Sequence, residues 1–341
     1  MTPLFRRSLL LFAGAALLVS AFVVYNIAPR TVTPDSTIMS TSEPTVTTSF
    51  SVITTVPSST TETSMTRGAC PTGSGVTGRI AFDNFDDIYA ANIDGTNLKQ
   101  LTTNPAHDFD PSWSPDGTRI AFRTDRDGED EIYVMNADGS EQTNLTNNPA
   151  EDYSPAWSPD GTRIAFASTR DGAIGNIYVT NVDGSNVTRL TKSVGGEYPT
   201  WSPDGEKIAF ISDTDFGPNI NLKEGWDIFV MNADGSGLTR LTDSPGGDKL
   251  PDWSPDGQRI IFQSDRDKTS HFTDIWVMNP DGTGQTRLTY NNGYAPNWSP
   301  DGCYIVFSAG TLYVMNADGS NVRALQVKGV MGELTFADWT K

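Results

Sequence analysis

Trp113-Ser-Pro-Asp-Gly117 is the first full copy of a five-residue phrase that recurs along the chain. The later copies are Trp157–Gly161, Trp201–Gly205, Trp253–Gly257 and Trp298–Gly302. Their Trp residues lie 44, 44, 52 and 45 positions apart, and a shortened copy, Trp339-Thr340, follows 41 positions after Trp298. Self-similarity at this period indicates a repeat architecture rather than one ordinary globular core.

Each phrase is a turn that joins two antiparallel strands. Pro presets φ at the second turn position, and Gly supplies the left-handed residue that ends the turn. An apolar run follows, such as Arg119–Phe122, and after a polar loop comes a second run, such as Ile132–Met135. That run leads into an Asn-x-Asp-Gly turn at Asn136–Gly139, and a last short strand ends at Leu145. Four short strands per period are typical of a β-propeller blade.

The two ends of the repeat region complement one another. Residues 79–102 supply the second, third and fourth strands of a blade, and residues 334–339 supply a first strand. Joining them closes the ring and removes the exposed sheet edges. We therefore predict an all-β fold: a six-bladed β-propeller of four-stranded blades, closed between the N-terminal and C-terminal strands. Packing between its blades is assigned to the repeated indoles, which are Trp113, Trp157, Trp201, Trp253, Trp298 and Trp339.

The repeat resembles the TolB-type propeller repeat of bacterial envelope proteins, over residues 75–341. TolB proteins carry an additional α/β domain before the propeller, whereas this chain has a linker there. The resemblance implies a protein or peptide ligand from the cell envelope. Propellers host binding proteins and enzymes alike, so the resemblance specifies the fold more closely than the activity.

The region before the propeller divides into two segments. Residues 1–30 contain Arg6, Arg7 and the apolar run Leu9–Tyr25, which predict one transmembrane or signal helix, either an uncleaved anchor or a cleaved signal peptide. Residues 31–74 are rich in Ser, Thr and Pro and predict a disordered linker. The propeller is then expected outside the cytoplasm, held at the cell membrane by the N-terminal helix alone, or secreted or periplasmic after cleavage.

Charge and cysteine content restrict the partners. The formal net charge is −18, and the first 68 residues contribute almost none of it, so the acidic propeller should repel nucleic acid. Such a surface suits cationic partners or simply keeps a monomer soluble. The two cysteines, Cys70 and Cys303, both fall near the predicted seam, and an exported chain permits a disulfide between them.

Variable loops that lead into the Trp strands are the candidate ligand-binding site at the mouth of the central channel. Acidic residues recur four or five positions before Trp, and aromatic residues recur four before it. This pattern predicts a ring of carboxylates edged by aromatic rings, suited to a cation or a basic peptide. The alternative is that the acids only cap the loop backbone. The candidates are His107, Asp108, Phe109, Asp110, Glu151, Asp152, Tyr153, Glu197, Tyr198, Asp248 and Tyr294.

Metal binding and catalysis have weaker support. Asp125, Asp127 and Asp130 offer oxygen ligands for Ca²⁺, but their spacing does not match the calcium loop, so no cofactor is expected. His107 and His271 are the chain's two histidines, and no nucleophile motif accompanies them. We therefore expect an extracytoplasmic binding or scaffold module without catalytic residues. The alternatives are a metal-dependent propeller hydrolase or lyase acting on a polysaccharide or peptide, and a purely structural scaffold.

Overall fold

The computed structural model describes Cys70 and residues 76–172, 174–214, 222–267, 273–290 and 292–340. The predicted helix at 1–30 lies outside these residues, as does the linker at 31–74 except for Cys70. The described residues form 24 β-strands in six four-stranded sheets, and none of them is helical. No helix able to cross a membrane is therefore found among them.

The strands follow the chain blade by blade, from the channel outward. Blade 1 contains β1 (Arg79–Asp83), β2 (Ile88–Asn92) and β3 (Lys99–Gln100). Blade 2 contains β4 (Asp108–Trp113), β5 (Arg119–Thr124), β6 (Glu131–Asn136) and β7 (Thr143–Asn144), and blade 3 contains β8 (Asp152–Trp157), β9 (Arg163–Ser168), β10 (Asn176–Asn181) and β11 (Thr188–Arg189). Blade 4 contains β12 (Glu197–Trp201), β13 (Lys207–Thr214), β14 (Leu222–Asn232) and β15 (Thr239–Arg240), and blade 5 contains β16 (Asp248–Trp253), β17 (Ile260–Ser264), β18 (Asp274–Met278) and β19 (Thr286–Arg287). Blade 6 contains β20 (Tyr294–Trp298), β21 (Tyr304–Ser308), β22 (Leu312–Asn316) and β23 (Arg323–Ala324), and β24 (Thr335–Thr340) completes blade 1.

The ring closes as the sequence predicts. Strand β24 pairs antiparallel with β1, with Trp339 opposite Ile80 and Asp338 opposite Ala81. The sheet order of blade 1 is therefore β24, β1, β2, β3, while each other blade uses four consecutive strands. The prediction of six blades sealed between the two ends is confirmed. We call this junction the seam.

The two recurring turns share one end of the propeller, which we call the turn face. In the first, Asp116 Oδ1 accepts hydrogen bonds from Ser114 Oγ at 2.6 Å and from the backbone N–H of Thr118 at 3.0 Å. These bonds hold the pKa of Asp116 at about 2, well below its ordinary value. In the second, a Cβ on Gly139 would stand 2.6 Å from the carbonyl oxygen of Leu101, so only glycine fits there. The opposite end, the loop face, carries the connections between second and third strands and those between blades.

Each Trp is buried between two blades. Trp113 packs with Ile88 and Leu101 of blade 1 and with Phe122 of blade 2. The guanidinium carbon of Arg79, from blade 1, lies 4.7 Å from the centre of the Trp113 ring. The same cation–π contact joins three further pairs, which are Arg119–Trp157, Arg163–Trp201 and Arg259–Trp298.

The seam replaces the recurring cation–π contact with two other links. Tyr304 stands at the position of these arginines in blade 6 and stacks on Trp339 with ring centroids 6.4 Å apart. Nearby, Cys70 and Cys303 form a disulfide with Cα atoms 5.5 Å apart. The bond joins the segment before β1 to the turn that precedes β21, so it bridges blades 1 and 6 at the turn face.

Candidate functional site

Every channel-lining strand carries a bulge three residues before its Trp. The ladder to the second strand shifts register there, and the bulged residue has a positive φ although none is glycine. A proline, which cannot donate to the ladder, follows the bulged residue in five of the six strands. The bulged residues face the channel and are Asp110 (φ 52°), Ser154 (54°), Tyr198 (51°), Leu250 (51°), Ala295 (48°) and Phe336 (46°).

Two of the bulged residues meet across the channel. Tyr198 belongs to blade 4 and Phe336 to blade 1, and these blades stand opposite one another in the ring. Their rings are parallel within 3°, with centroids 6.2 Å apart. On the turn-face side of the bulges lies a cavity of about 290 Å³. Among the residues that line this cavity are the bulged residues and Trp113, Trp157 and Trp201.

Two carboxylates that sequence reasoning missed line this cavity. Asp252 Oδ2 accepts the backbone N–H of Trp298 at 2.8 Å, and Asp338 Oδ2 accepts that of Trp113 at 2.5 Å. Each carboxylate thereby links its own blade to the next one. Burial raises the pKa of Asp252 to about 7 and that of Asp338 to about 6. The available signal was the residue directly before each Trp, which is acidic in two of the six copies.

Three of the predicted mouth carboxylates are buried inside their blades, which corrects their placement at the channel surface. The side chains of Asp108, Asp152 and Asp248 are 0% exposed. Each accepts a hydrogen bond from an arginine of the loop after the second strand of its own blade, at 2.9–3.0 Å. The arginines are Arg126, Arg170 and Arg266, and each guanidinium also lies over two aromatic rings. The charge of each of these carboxylates is therefore compensated by an arginine of its own blade.

Among the other predicted candidates, Glu151 is exposed and Glu197 is not. Glu197 Oε1 accepts a hydrogen bond from the Tyr153 hydroxyl at 3.0 Å, and burial raises the pKa of Glu197. The Tyr294 hydroxyl donates to Glu333. Asp110 remains in the channel wall, where its Oδ2 lies 3.8 Å from Arg123 Nε and burial raises its pKa.

The three aspartates considered as possible metal ligands each contact a different group of side chains. Asp125 Oδ2 lies 2.9 Å from His107 Nδ1, and this hydrogen bond raises the pKa of His107. Asp127 Oδ2 accepts from the Tyr133 hydroxyl and, at 2.9 Å, from Asn144 Nδ2. Asp130 Oδ2 lies 3.6 Å from Arg123 Nη1. Within the described residues no three His, Cys, Asp or Glu side chains are grouped to hold a metal, and His271 lies outside those residues.

The loop face instead exposes large apolar side chains. Phe85, Ile174, Tyr290 and Met331 lie on it with 43%, 53%, 70% and 86% of their surface exposed. On the turn face, the two large apolar side chains exposed among the described residues are Val187 and Val322, at 40% and 51%. Exposed aromatic and flexible apolar groups on a rigid scaffold are typical of contact surfaces.

Four loop-face residues gather beside the seam, and we call Phe85, His107, Phe109 and Met331 the seam patch. The Phe85 and Phe109 rings meet edge to face, with centroids 6.4 Å apart. The His107 ring stacks on Phe109 at 5.8 Å. Met331 joins the patch through its backbone, because its carbonyl accepts a hydrogen bond from Asn84 Nδ2 at 2.9 Å. Sequence reasoning found His107 and Phe109 but missed Phe85 and Met331, whose proximity depends on ring closure.

Comparisons with known proteins agree with this architecture. The sequence profile of the TolB β-propeller domain matches residues 142–223 and 220–333, and that of the Tricorn protease N-terminal β-propeller domain matches residues 74–175. No curated protein matches the chain in sequence.

Solved structures with the same fold include TolB from Acinetobacter baumannii, with a TM-score of 0.65 and 22% identity over 77% of this chain. The chain spans 66% of that protein, just under two thirds. A protein described as TolB from Agrobacterium tumefaciens gives a TM-score of 0.60 and 25% identity, covering 74% of this chain and 89% of that one. The tricorn protease gives 0.60 and 20%, covering 74% of this chain and 26% of its own, which is a likeness of fold alone.

Proposed function

We propose that this chain, which belongs to the TolB β-propeller domain family, is a binding module outside the cytoplasm. It recognises a protein or peptide of the cell envelope through its loop face. The observation that carries the proposal is the unequal distribution of exposed apolar groups. The loop face holds Phe85, Tyr290 and Met331, whereas the turn face is built from short hydrogen-bonded turns. Aromatic side chains and methionine are enriched at protein interfaces.

The disulfide lies at the end of the propeller opposite the proposed binding surface. Cys303 directly follows a Ser-Pro-Asp-Gly turn, so its bond holds Cys70 at the turn face and does not cover the loop face. The channel-wall carboxylates of Asp252 and Asp338 have no part in this function, because each accepts a backbone hydrogen bond from a neighbouring blade.

Site-specific photocrosslinking tests this function, with the full chain expressed in bacterial cells whose envelope is intact. A photoreactive phenylalanine analogue replaces Ile174 or Tyr290 on the loop face, and Val187 or Val322 on the turn face as matched controls. We expect discrete protein adducts from the loop-face positions and none from the turn-face positions. Adducts from the turn face alone, or equal adducts from both faces, would overturn the proposal.

A further inference from the structure

We propose that the seam patch is the docking point for an extended peptide segment that carries an aromatic side chain flanked by Lys or Arg. The patch is formed by Phe85, His107, Phe109 and Met331. This inference rests on the proposed function, because it assigns one part of the loop face and one partner chemistry to it.

Phe85 is held in a costly conformation. Its φ of 71° lies in the left-handed region, which non-glycine residues rarely adopt and which Asn tolerates far better than Phe. The turn is fixed by its neighbours: Asp83 Oδ1 accepts the N–H of Phe85 at 3.3 Å, and Asn84 Oδ1 accepts those of Asp86 and Asp87 at 3.2 and 2.9 Å. A large ring kept exposed at an energetic cost, in a turn held on both sides, is characteristic of a binding position.

The seam brings the backbone of a second apolar residue, Met331, beside the Phe85 turn. Asn84 uses its oxygen to shape the Phe85 turn and its Nδ2 to bind the carbonyl of Met331. Met331 lies in the connection between β23 and β24, which reaches blade 1 only because the ring is closed. One amide thus holds both the Phe85 turn and the backbone of Met331, whose side chain is 86% exposed. Methionine adapts its shape to an incoming aromatic group.

The remaining rings make a firm base for that contact. Phe109 touches Phe85 edge to face and stacks with His107, and the Arg123 guanidinium carbon lies 4.6 Å from the Phe109 centroid. The His107 side chain keeps 56% of its surface exposed, so the outer side of the patch is accessible. An aromatic side chain from a partner can therefore extend a series of rings that is already in place.

Charges around the patch favour a basic partner. Asp86 and Asp87 directly follow Phe85 in the chain, Asp125 bonds to His107, and Glu333 lies two residues after Met331. Of these four, Asp86 and Glu333 are exposed. Against these four carboxylates stand the exposed ammonium of Lys328 and the Arg123 guanidinium, which already lies beside Asp110 and Asp130. With a formal net charge of −18 on the whole chain, lysine or arginine beside the docked aromatic ring is attracted and glutamate is repelled.

Fluorescence anisotropy with the full chain tests the inference. The probe is a labelled seven-residue peptide, Gly-Ser-Lys-Phe-Lys-Ser-Gly, compared with versions in which Ala replaces Phe or Glu replaces both Lys. We expect the Lys-Phe-Lys peptide to bind at least about tenfold more tightly than either comparison peptide, a difference of about 1.4 kcal/mol. Its affinity should fall as salt increases, because the charge term is screened.

Protein variants locate the contact. Phe85→Asn retains a residue that accepts the left-handed backbone, and Met331→Ser removes the second apolar group. Each should weaken binding of the Lys-Phe-Lys peptide by about tenfold, while Val322→Ser on the turn face should leave it within about twofold. Unchanged thermal unfolding of the variants serves as the folding control.

Two outcomes would overturn the inference: no preference for the Lys-Phe-Lys peptide, or a preference that Phe85→Asn and Met331→Ser leave intact. Either result, together with crosslinked adducts at Ile174 and Tyr290, would reject the seam patch and retain the loop face as the binding surface. Absence of those adducts rejects the loop face itself. Failure of the inference and failure of the proposed function are therefore distinguishable.

Discussion

Tyr198 and Phe336 come from opposite blades, yet their rings stack in the middle of the propeller with centroids 6.2 Å apart. Both are bulged residues with left-handed backbone, so the bulge is what turns each ring into the channel. The stack joins the first strand of blade 4 to the strand that closes the seam. The stack is therefore a direct contact across the ring, and its two side chains occupy part of the channel.

The contact between the Tyr198 and Phe336 rings should be measurable as a coupling energy. We expect a double-mutant cycle of Tyr198→Leu and Phe336→Leu, followed by chemical unfolding, to give a coupling of about 0.5–1.5 kcal/mol, the usual contribution of an aromatic pair beyond buried area. A cycle of Tyr198→Leu with Phe85→Asn is the control, and its coupling should be near zero. Equal coupling in both cycles would contradict the direct stack.

The buried acids predict that the propeller loses stability as the pH rises. Burial raises the pKa of Asp83 and Asp252 to about 7 and that of Asp338 to about 6. The folded state therefore binds protons more tightly than the unfolded chain, whose carboxyls have a pKa near 3.8. Their contribution to stability is fully present below that value and is lost as the pH rises through about 6–7.

Thermal unfolding at pH 5 and pH 8 measures this effect. We expect a higher Tm at pH 5, given that a loss of about 1 kcal/mol lowers the Tm of a domain of this size by about 2–4 °C. The double variant Asp252→Asn/Asp338→Asn keeps a side-chain acceptor for the Trp298 and Trp113 N–H groups but cannot titrate. Its Tm should change less with pH, and an unchanged pH dependence would count against these two groups.

The buried arginine–aspartate pairs should be costly to break from one side. Arg170 Nη2 lies 2.9 and 3.1 Å from the two oxygens of Asp152, which is 0% exposed. We expect Asp152→Ala to reduce the free energy of unfolding by about 3–5 kcal/mol, because the guanidinium is left without its partner. The apolar double variant Asp152→Leu/Arg170→Met should recover much of that loss. A single variant within about 1 kcal/mol of the wild type would show that the pair behaves like a surface ion pair.

The disulfide should stabilise the closed ring. Cys70 and Cys303 are separated by 233 residues, so their bond removes much conformational entropy from the unfolded chain. We expect Cys70→Ser/Cys303→Ser to cost about 2–5 kcal/mol in chemical unfolding. A thiol reductant should lower the Tm of the wild type and leave that of the double variant unchanged. Equal response of the two proteins to reductant would contradict a stabilising role.

The fold could be predicted from local signals because the turn sequences of each repeat mark where its strands begin and end. Trp-Ser-Pro-Asp-Gly marks one hairpin, and the unmatched ends at Arg79–Phe82 and Leu334–Trp339 predict the seam. The bulges could not be predicted, since a positive φ at Asp110 or Tyr198 depends on pairing with the second strand. Pro at the next position was a partial signal.

The candidate site was harder to predict because partners arise from different parts of the repeat. Asp108 and Asp152 recur before Trp as a ligand ring would, but Arg126 and Arg170 lie 18 residues later and return to them only when the strands pair. Phe85 and Met331 are 246 residues apart in the sequence, and the closed seam brings them together. Contacts that depend on ring closure leave no pattern in either segment alone.

Hydrogen–deuterium exchange of the full chain, alone and saturated with the Lys-Phe-Lys peptide, tests most directly whether the loop face beside the seam is the binding surface. We predict slower exchange at 84–87, 107–110 and 326–334, with no change at the turns 114–118 and 181–187. Protection confined to those turns, or spread evenly over both faces, would contradict the account.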